Sequence, residues 1–132
     1  MRFISTNVHG IFDYLIGAFL IAMPWMFGFA VIGGPQTWLS VIVGASIIAY
    51  SLLTDYEWGL AKVIDMRAHL VLDVLAGLTI LFSYPFLGFF DVLWWQPHLV
   101  VAVVLIAGAA LTYKTPERRR PYARTPESVR QM

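Results

Sequence analysis

Four long apolar runs separated by short polar segments dominate the chain, at roughly residues 9–29, 36–54, 68–90 and 97–113. Each run is close to the roughly 20 residues that an α-helix needs to cross about 30 Å of hydrocarbon. Good N-cap residues precede the first and third runs, Ser5 and Asp65 among them, and Pro97 opens the fourth. With 59% hydrophobic and 13% charged residues the chain is too apolar for a soluble domain. The pattern predicts an all-α membrane protein with four transmembrane helices.

The first and third runs repeat each other sixty positions apart, as HGIFDYLIGAFLIAMPWMFGF and HLVLDVLAGLTILFSYPFLGF. The matching positions are His9 with His69, Asp13 with Asp73, Leu15 with Leu75, Gly17 with Gly77, and Gly28-Phe29 with Gly88-Phe89. A fixed period of this kind marks a duplicated structural unit. We expect two tandem two-helix repeats, about 9–54 and 69–113. Because each contains two crossings, the repeats should be parallel and related by a pseudo-two-fold axis along the membrane normal.

All basic residues fall on one side of the predicted membrane: Arg2, Lys62, Arg67, Lys114, Arg118, Arg119, Arg120, Arg124 and Arg130. The positive-inside rule therefore predicts that both termini and the middle loop are cytoplasmic. Residues 1–113 form the predicted transmembrane domain and residues 114–132 a basic cytoplasmic tail. The absence of cysteine excludes disulfides and thiol catalysis.

The tail carries a short basic cluster, Arg118, Arg119, Arg120 and Arg124. Such a cluster close to a membrane attracts anionic lipid headgroups, and an acidic protein partner is the alternative. Acidic residues within the tail dilute the cluster, so we expect no nucleic acid partner.

Two histidine–aspartate pairs, His9 with Asp13 and His69 with Asp73, are the best candidates for a functional site. Within each pair the side chains share one helix face. Ionisable residues inside a membrane are costly and point to a role. We favour a structural clamp between the first and third helices, without metal or cofactor. Proton handling, a tetrahedral Zn²⁺ site, and axial ligation of haem or another tetrapyrrole by the two histidines are the alternatives.

The outer ends of the first and third spans carry a second repeated feature. Pro24 and Pro85 should kink or end their helices there, and Gly28 and Gly88 let the chain turn. Met23-Pro24-Trp25 and Ser83-Tyr84-Pro85-Phe86, within the surrounding repeat, resemble the SPW-repeat family of bacterial integral membrane proteins. The resemblance runs from His9 to Thr112. It implies a bacterial inner-membrane location and two-helix units, and it implies no reaction.

Together these observations favour a non-enzymatic structural or accessory protein that packs in an oligomer or in a larger membrane complex. One alternative is a small channel or proton-coupled transporter that uses Asp13 and Asp73. A second is a tetrapyrrole-binding protein that uses His9 and His69. No catalytic nucleophile, phosphate-binding loop or dinucleotide-binding motif is present in the sequence.

Overall fold

The computed structural model describes residues 1–87 and 92–120, except for the side chains of Tyr84 and of residues 92–94. It contains four α-helices: α1 (Thr6–Met26), α2 (Gly34–Leu53), α3 (Met66–Leu87) and α4 (Val92–Leu111). Short 3-10 turns lie at Phe29–Ile32 and Glu117–Arg119. No strand occurs in the described ranges, which confirms the all-helical prediction.

Three helices have the length and apolar character needed to cross a membrane: Thr6–Met26, Gly34–Leu53 and the Met66–Ser83 part of α3. The fourth apolar segment, Trp95–Leu111, is shorter within the described residues. Length and composition thus support a membrane protein with several spans.

Side-chain caps fix the N-terminal ends of α1 and α3, as the sequence predicts; we call this end of the bundle the inner end and the opposite end the outer end. The Ser5 hydroxyl accepts the Val8 N–H at 3.2 Å, and the Asp65 carboxylate accepts the Ala68 N–H at 2.8 Å. The prediction that Pro97 opens the fourth helix is wrong, because α4 begins at Val92. Pro97 lies in its second turn, where its missing N–H removes a backbone hydrogen bond that the first turn would not need.

The outer end of α1 fits the prediction for its proline. Pro24 lies inside α1, which ends two residues later at Met26, and Pro85 lies inside α3, which is described as far as Leu87. Gly28 follows α1 with φ +77°, a left-handed conformation that glycine adopts without steric cost, and the chain turns there. Gly88 lies outside the described residues.

The helices pack in two pairs, α1 on α2 and α3 on α4, with α2 also contacting α3. In the first pair the backbones meet at Gly17 and Gly44: a Cβ on Gly44 would lie 2.6 Å from the Gly17 carbonyl oxygen. In lipid, small residues of this kind let helices approach closely. The buried core beside this contact is apolar and includes Leu20, Val43, Ile47, Ile80, Val101 and Leu105.

Two short backbone bridges close the inner end of the bundle in the same way in each repeat. Ile4, before α1, bridges Thr112, the residue after α4; Ile64, before α3, bridges Thr54, the residue after α2. Both threonines are fully buried. The bridges place Thr112 beside the first turns of α1 and Thr54 beside the first turns of α3.

We predict that Gly44→Ala destabilises the protein by about 1–3 kcal/mol, because the added methyl group meets backbone atoms that cannot move aside. Gly108→Ala is the matched control, since the nearest side-chain atoms to its Cβ lie 3.9 Å away. Unfolding in mixed detergent micelles measures both. Equal stability of the two variants would contradict the close helix contact.

A buried histidine–aspartate cluster as candidate functional site

The two predicted histidine–aspartate pairs come together as one buried cluster of four side chains. His9 and Asp13 lie on α1, and His69 and Asp73 lie on α3; none is more than 5% exposed. The shortest contacts cross between the helices: His9 Nε2 is 2.9 Å from Asp73 Oδ2, and His69 Nε2 is 3.0 Å from Asp13 Oδ2. Within each helix the same nitrogens lie 3.4 and 3.3 Å from Asp13 Oδ1 and Asp73 Oδ2.

The second ring nitrogen of each imidazole, Nδ1, forms a hydrogen bond with a threonine hydroxyl. His69 Nδ1 lies 2.8 Å from Thr54 Oγ1, and His9 Nδ1 lies 2.9 Å from Thr112 Oγ1. Each hydroxyl also donates to the carbonyl four residues earlier, that of Tyr50 or Gly108, at 2.7 Å. A hydroxyl has a single proton to donate, so each threonine accepts from an Nδ1–H. Both Nε2 atoms therefore face the carboxylates.

One side of the cluster is sealed by aromatic side chains. The Tyr50 hydroxyl donates to Asp73 Oδ1 at 2.6 Å, and the rings of Tyr50 and Tyr56 lie 5.1 and 5.4 Å from that of His69. Burial, with the nearby Asp13 carboxylate as a smaller cause, raises the pKa of Tyr56. This phenol in the link after α2 therefore stays neutral.

The opposite side is less well covered. Gly108 occupies the position in α4 that corresponds to Tyr50, four residues before the threonine of each repeat, and it has no side chain to place over His9. A cavity of about 240 Å³ lies there, with His9, Asp13 and Gly108 in its wall. The two repeats thus differ at the point where the cluster meets its surroundings.

Comparison with known families identifies the repeat. The sequence model of the SPW repeat domain matches residues 7–112, which contain both helix pairs and all four cluster residues. The chain belongs to the SPW-repeat family. Neither the curated proteins nor the solved structures contain a match.

The signature turns of this SPW-repeat protein lie far from the cluster, at the outer ends of the helices. Pro24 is buried, whereas Trp25 is 60% exposed. His98 is also at the outer end; it is 1% exposed and its Nε2 lies 3.0 Å from the Ser40 hydroxyl. The outer end therefore has a buried histidine of its own.

The described part of the basic tail lies against the middle link. Arg118 and Arg119 both pair with Asp55, and the Glu117 N–H donates to the Glu57 carboxylate at 2.8 Å. The Arg120 guanidinium stacks on Tyr113, 3.7 Å from the ring centre. Arg124 lies outside the described residues. Contact between this arginine cluster and lipid or a partner stays a prediction.

Sequence reasoning missed three residues that complete the cluster: Tyr50, Thr54 and Thr112. The signal for the threonines is present, because Leu53-Thr54 and Leu111-Thr112 end the second helix of each repeat. Their role depends on the backbone bridges that bring them beside α3 and α1. Tyr50 has no counterpart in the second repeat, so the duplication gives no signal for it.

We predict that Thr54→Val and Thr112→Val each destabilise this SPW-repeat protein by about 1–3 kcal/mol, because each leaves a buried Nδ1–H without an acceptor. Thr79→Val is the matched control: the Thr79 hydroxyl also donates to the carbonyl four residues earlier, at 2.8 Å, but the residue is exposed and contacts no histidine. Thermal unfolding in detergent measures all three. A loss at Thr79 as large as at Thr54 would contradict the assigned role.

Proposed function

We propose that the protein is a non-enzymatic, structural or accessory protein of the bacterial inner membrane, with four spanning helices and both termini in the cytoplasm. In this account the cluster of His9, Asp13, His69 and Asp73 is a clamp that joins the two repeats. The protein then acts by presenting a stable helical surface to copies of itself or to a larger membrane complex.

The observation that carries this proposal is that the polar atoms of the cluster are directed at one another. Both Nδ1 atoms contact threonines, and both Nε2 atoms contact carboxylates of the other repeat. The shortest contacts link α1 with α3, which belong to different helix pairs. Removing one partner from a buried pair of this kind costs about 3–5 kcal/mol. Such a network supports a structural role.

The apolar middle of the bundle argues against a channel or a proton-coupled transporter that uses Asp13 and Asp73. Among the described residues of α3, no buried polar side chain lies between Asp73 and Ser83. At 1.5 Å per helical residue this gap spans about 15 Å. Among the described residues, the buried side chains at this depth include Leu20, Val43, Ile47, Ile80, Val101, Ala102 and Leu105. A transported ion needs polar partners near the midplane.

The geometry of the two histidines also argues against a tetrapyrrole between them. The rings of His9 and His69 stand edge to face with centroids 5.4 Å apart. Their Nε2 atoms point at carboxylates at 2.9 and 3.0 Å, in the space that a macrocycle between the two rings would need. Axial ligation requires both nitrogens to point at one iron from opposite faces of an open slot.

Exposed aromatic residues and the charge pattern support the membrane placement. Trp25 and Trp38 are exposed at the outer end of the bundle and Trp58 at the inner end. Tryptophans at both ends are typical of the two interfaces of a membrane. The described basic residues lie at the inner end, which supports cytoplasmic termini.

We predict that His9 and Asp73 are energetically coupled across the repeats. His9→Ala and Asp73→Asn should each lower the free energy of unfolding by about 3–5 kcal/mol, and the double variant should lose less than the sum because both lose the same contact. Unfolding of the four members of the cycle in mixed micelles measures the coupling.

A second cycle provides the control for this measurement. Combined with His98→Ala, which alters the buried histidine at the outer end, Asp73→Asn should give additive losses, because distant sites are independent. Additive losses for His9 and Asp73, or full stability of either single variant, would contradict the clamp.

A further inference from the structure

The centre of the cluster has the donor set of a metal site. One ligand atom from each of His9, Asp13, His69 and Asp73 lies within 4.8 Å of all the others. The nitrogen–oxygen contacts in the cluster measure 2.9, 3.3, 3.0 and 3.4 Å, the first two to Oδ2 of Asp73 and the last two to Oδ2 and Oδ1 of Asp13. Zinc bonds of about 2.0–2.2 Å in a tetrahedron separate neighbouring ligand atoms by about 3.3–3.5 Å. The four ligand atoms, at most 4.8 Å apart, reach such distances when their side chains close around an ion.

The surrounding hydroxyls fix the ligands in the orientation that a metal requires. Because Thr54 and Thr112 accept from the Nδ1–H groups, each neutral imidazole directs the lone pair of Nε2 towards the centre. Metal-bound histidines are held in this manner, with the other ring nitrogen donating to an oxygen acceptor. The Tyr50 hydroxyl similarly occupies Oδ1 of Asp73 and leaves Oδ2 to face the centre.

The charge of the cluster also favours a bound metal ion. With both imidazoles neutral, the two carboxylates give the buried centre a net charge of −2, which is costly inside a membrane unless it is compensated. Two protons supply the compensation, but each serves a single nitrogen–oxygen contact. A divalent cation supplies both charges at one point and contacts all four ligands.

We propose that His9, Asp13, His69 and Asp73 bind one divalent transition-metal ion of the Zn²⁺ class, which locks the two repeats together. Imidazole and carboxylate donors without thiolate suit this class of ion. The inference deepens the proposed function, since it rests on the cluster being the clamp and names the ion that closes it.

The difference between the repeats provides a way into the site. On the α2 side Tyr50 covers His69 and Asp73, whereas on the α4 side the corresponding residue is Gly108. The cavity of about 240 Å³ beside Gly108 reaches His9 and Asp13. This is therefore the side of the cluster on which a fifth ligand to the metal has room.

The test begins with the full-length wild-type protein, purified in detergent without chelator and with any affinity tag removed. The protein is incubated with Zn²⁺ and desalted, and its metal content and thermal unfolding are measured. We expect close to one zinc per chain, a higher melting temperature with zinc, and a lower one after treatment with a chelator. Substitution by Co²⁺ should give the visible absorption of a tetrahedral site.

Variants show whether the ion is at this cluster. The double variant Asp13→Asn/Asp73→Asn should lose the bound zinc, and Thr112→Val should weaken zinc affinity about 10-fold or more by releasing the His9 ring. His98→Ala, which removes the histidine at the outer end, should keep one zinc per chain. Should the aspartate variant fail to fold, the wild-type metal content and Thr112→Val still decide the question.

Two results would overturn the metal site. One is wild-type protein with far less than one zinc per chain and a melting temperature that neither zinc nor chelator changes. The other is zinc binding that does not depend on this cluster. In that case the folded double aspartate variant retains zinc, or His98→Ala loses as much zinc as the aspartate variant does. The double-variant cycle of His9 and Asp73 tests the clamp separately. If the two residues are energetically coupled but no zinc binds, the metal site is wrong and the clamp stands. If zinc binds but the two residues are not coupled, the clamp is wrong.

Discussion

The hydrogen bonds between His9 and Asp73 and between His69 and Asp13 are the interaction on which this structure depends. They join α1 to α3 through buried ionisable groups, at 2.9 and 3.0 Å. A carboxylate buried in an apolar helix bundle is strongly unfavourable without a partner. Each repeat supplies the partner that the other needs, so neither helix pair satisfies its buried groups alone.

The duplication of the two-helix unit explains the symmetry of the cluster. The differences between the two repeats explain why one side of the cluster is less covered than the other. The threonines after α2 and α4 support equivalent histidines, and equivalent bridges, Ile4 with Thr112 and Ile64 with Thr54, place them. Tyr50 and Gly108 break this symmetry. One histidine is enclosed by aromatic rings, and the other borders a cavity. The cluster is therefore less enclosed on the side of His9 and Asp13.

Much of the fold follows from the sequence, because apolar runs and a repeat with a fixed period report directly on helix number and pairing. The same repeat places His9, Asp13, His69 and Asp73 at one depth, and from this the joining of α1 and α3 could be predicted. The pairing of each histidine with the aspartate of the other helix could not be predicted. An i,i+4 spacing favours His9 with Asp13, and only the relative rotation of the two helices brings Asp73 closer to His9. Thr54, Thr112 and Tyr50 depend on the backbone after the helices, which periodicity does not describe. The predicted start of the fourth helix at Pro97 was wrong because it was inferred from a single residue.

The most direct test of the account is the ¹⁵N NMR spectrum of the histidine side chains in the full-length protein, recorded for the wild type, Asp13→Asn and Asp73→Asn. We expect the Nε2 resonance of His9 to respond to Asp73→Asn, 64 positions away in the chain, at least as strongly as to Asp13→Asn in its own helix. We also expect Nδ1 of His9 and His69 to be protonated in the wild type. A His9 resonance that responds to Asp13→Asn and is unchanged by Asp73→Asn would contradict the cross-repeat cluster.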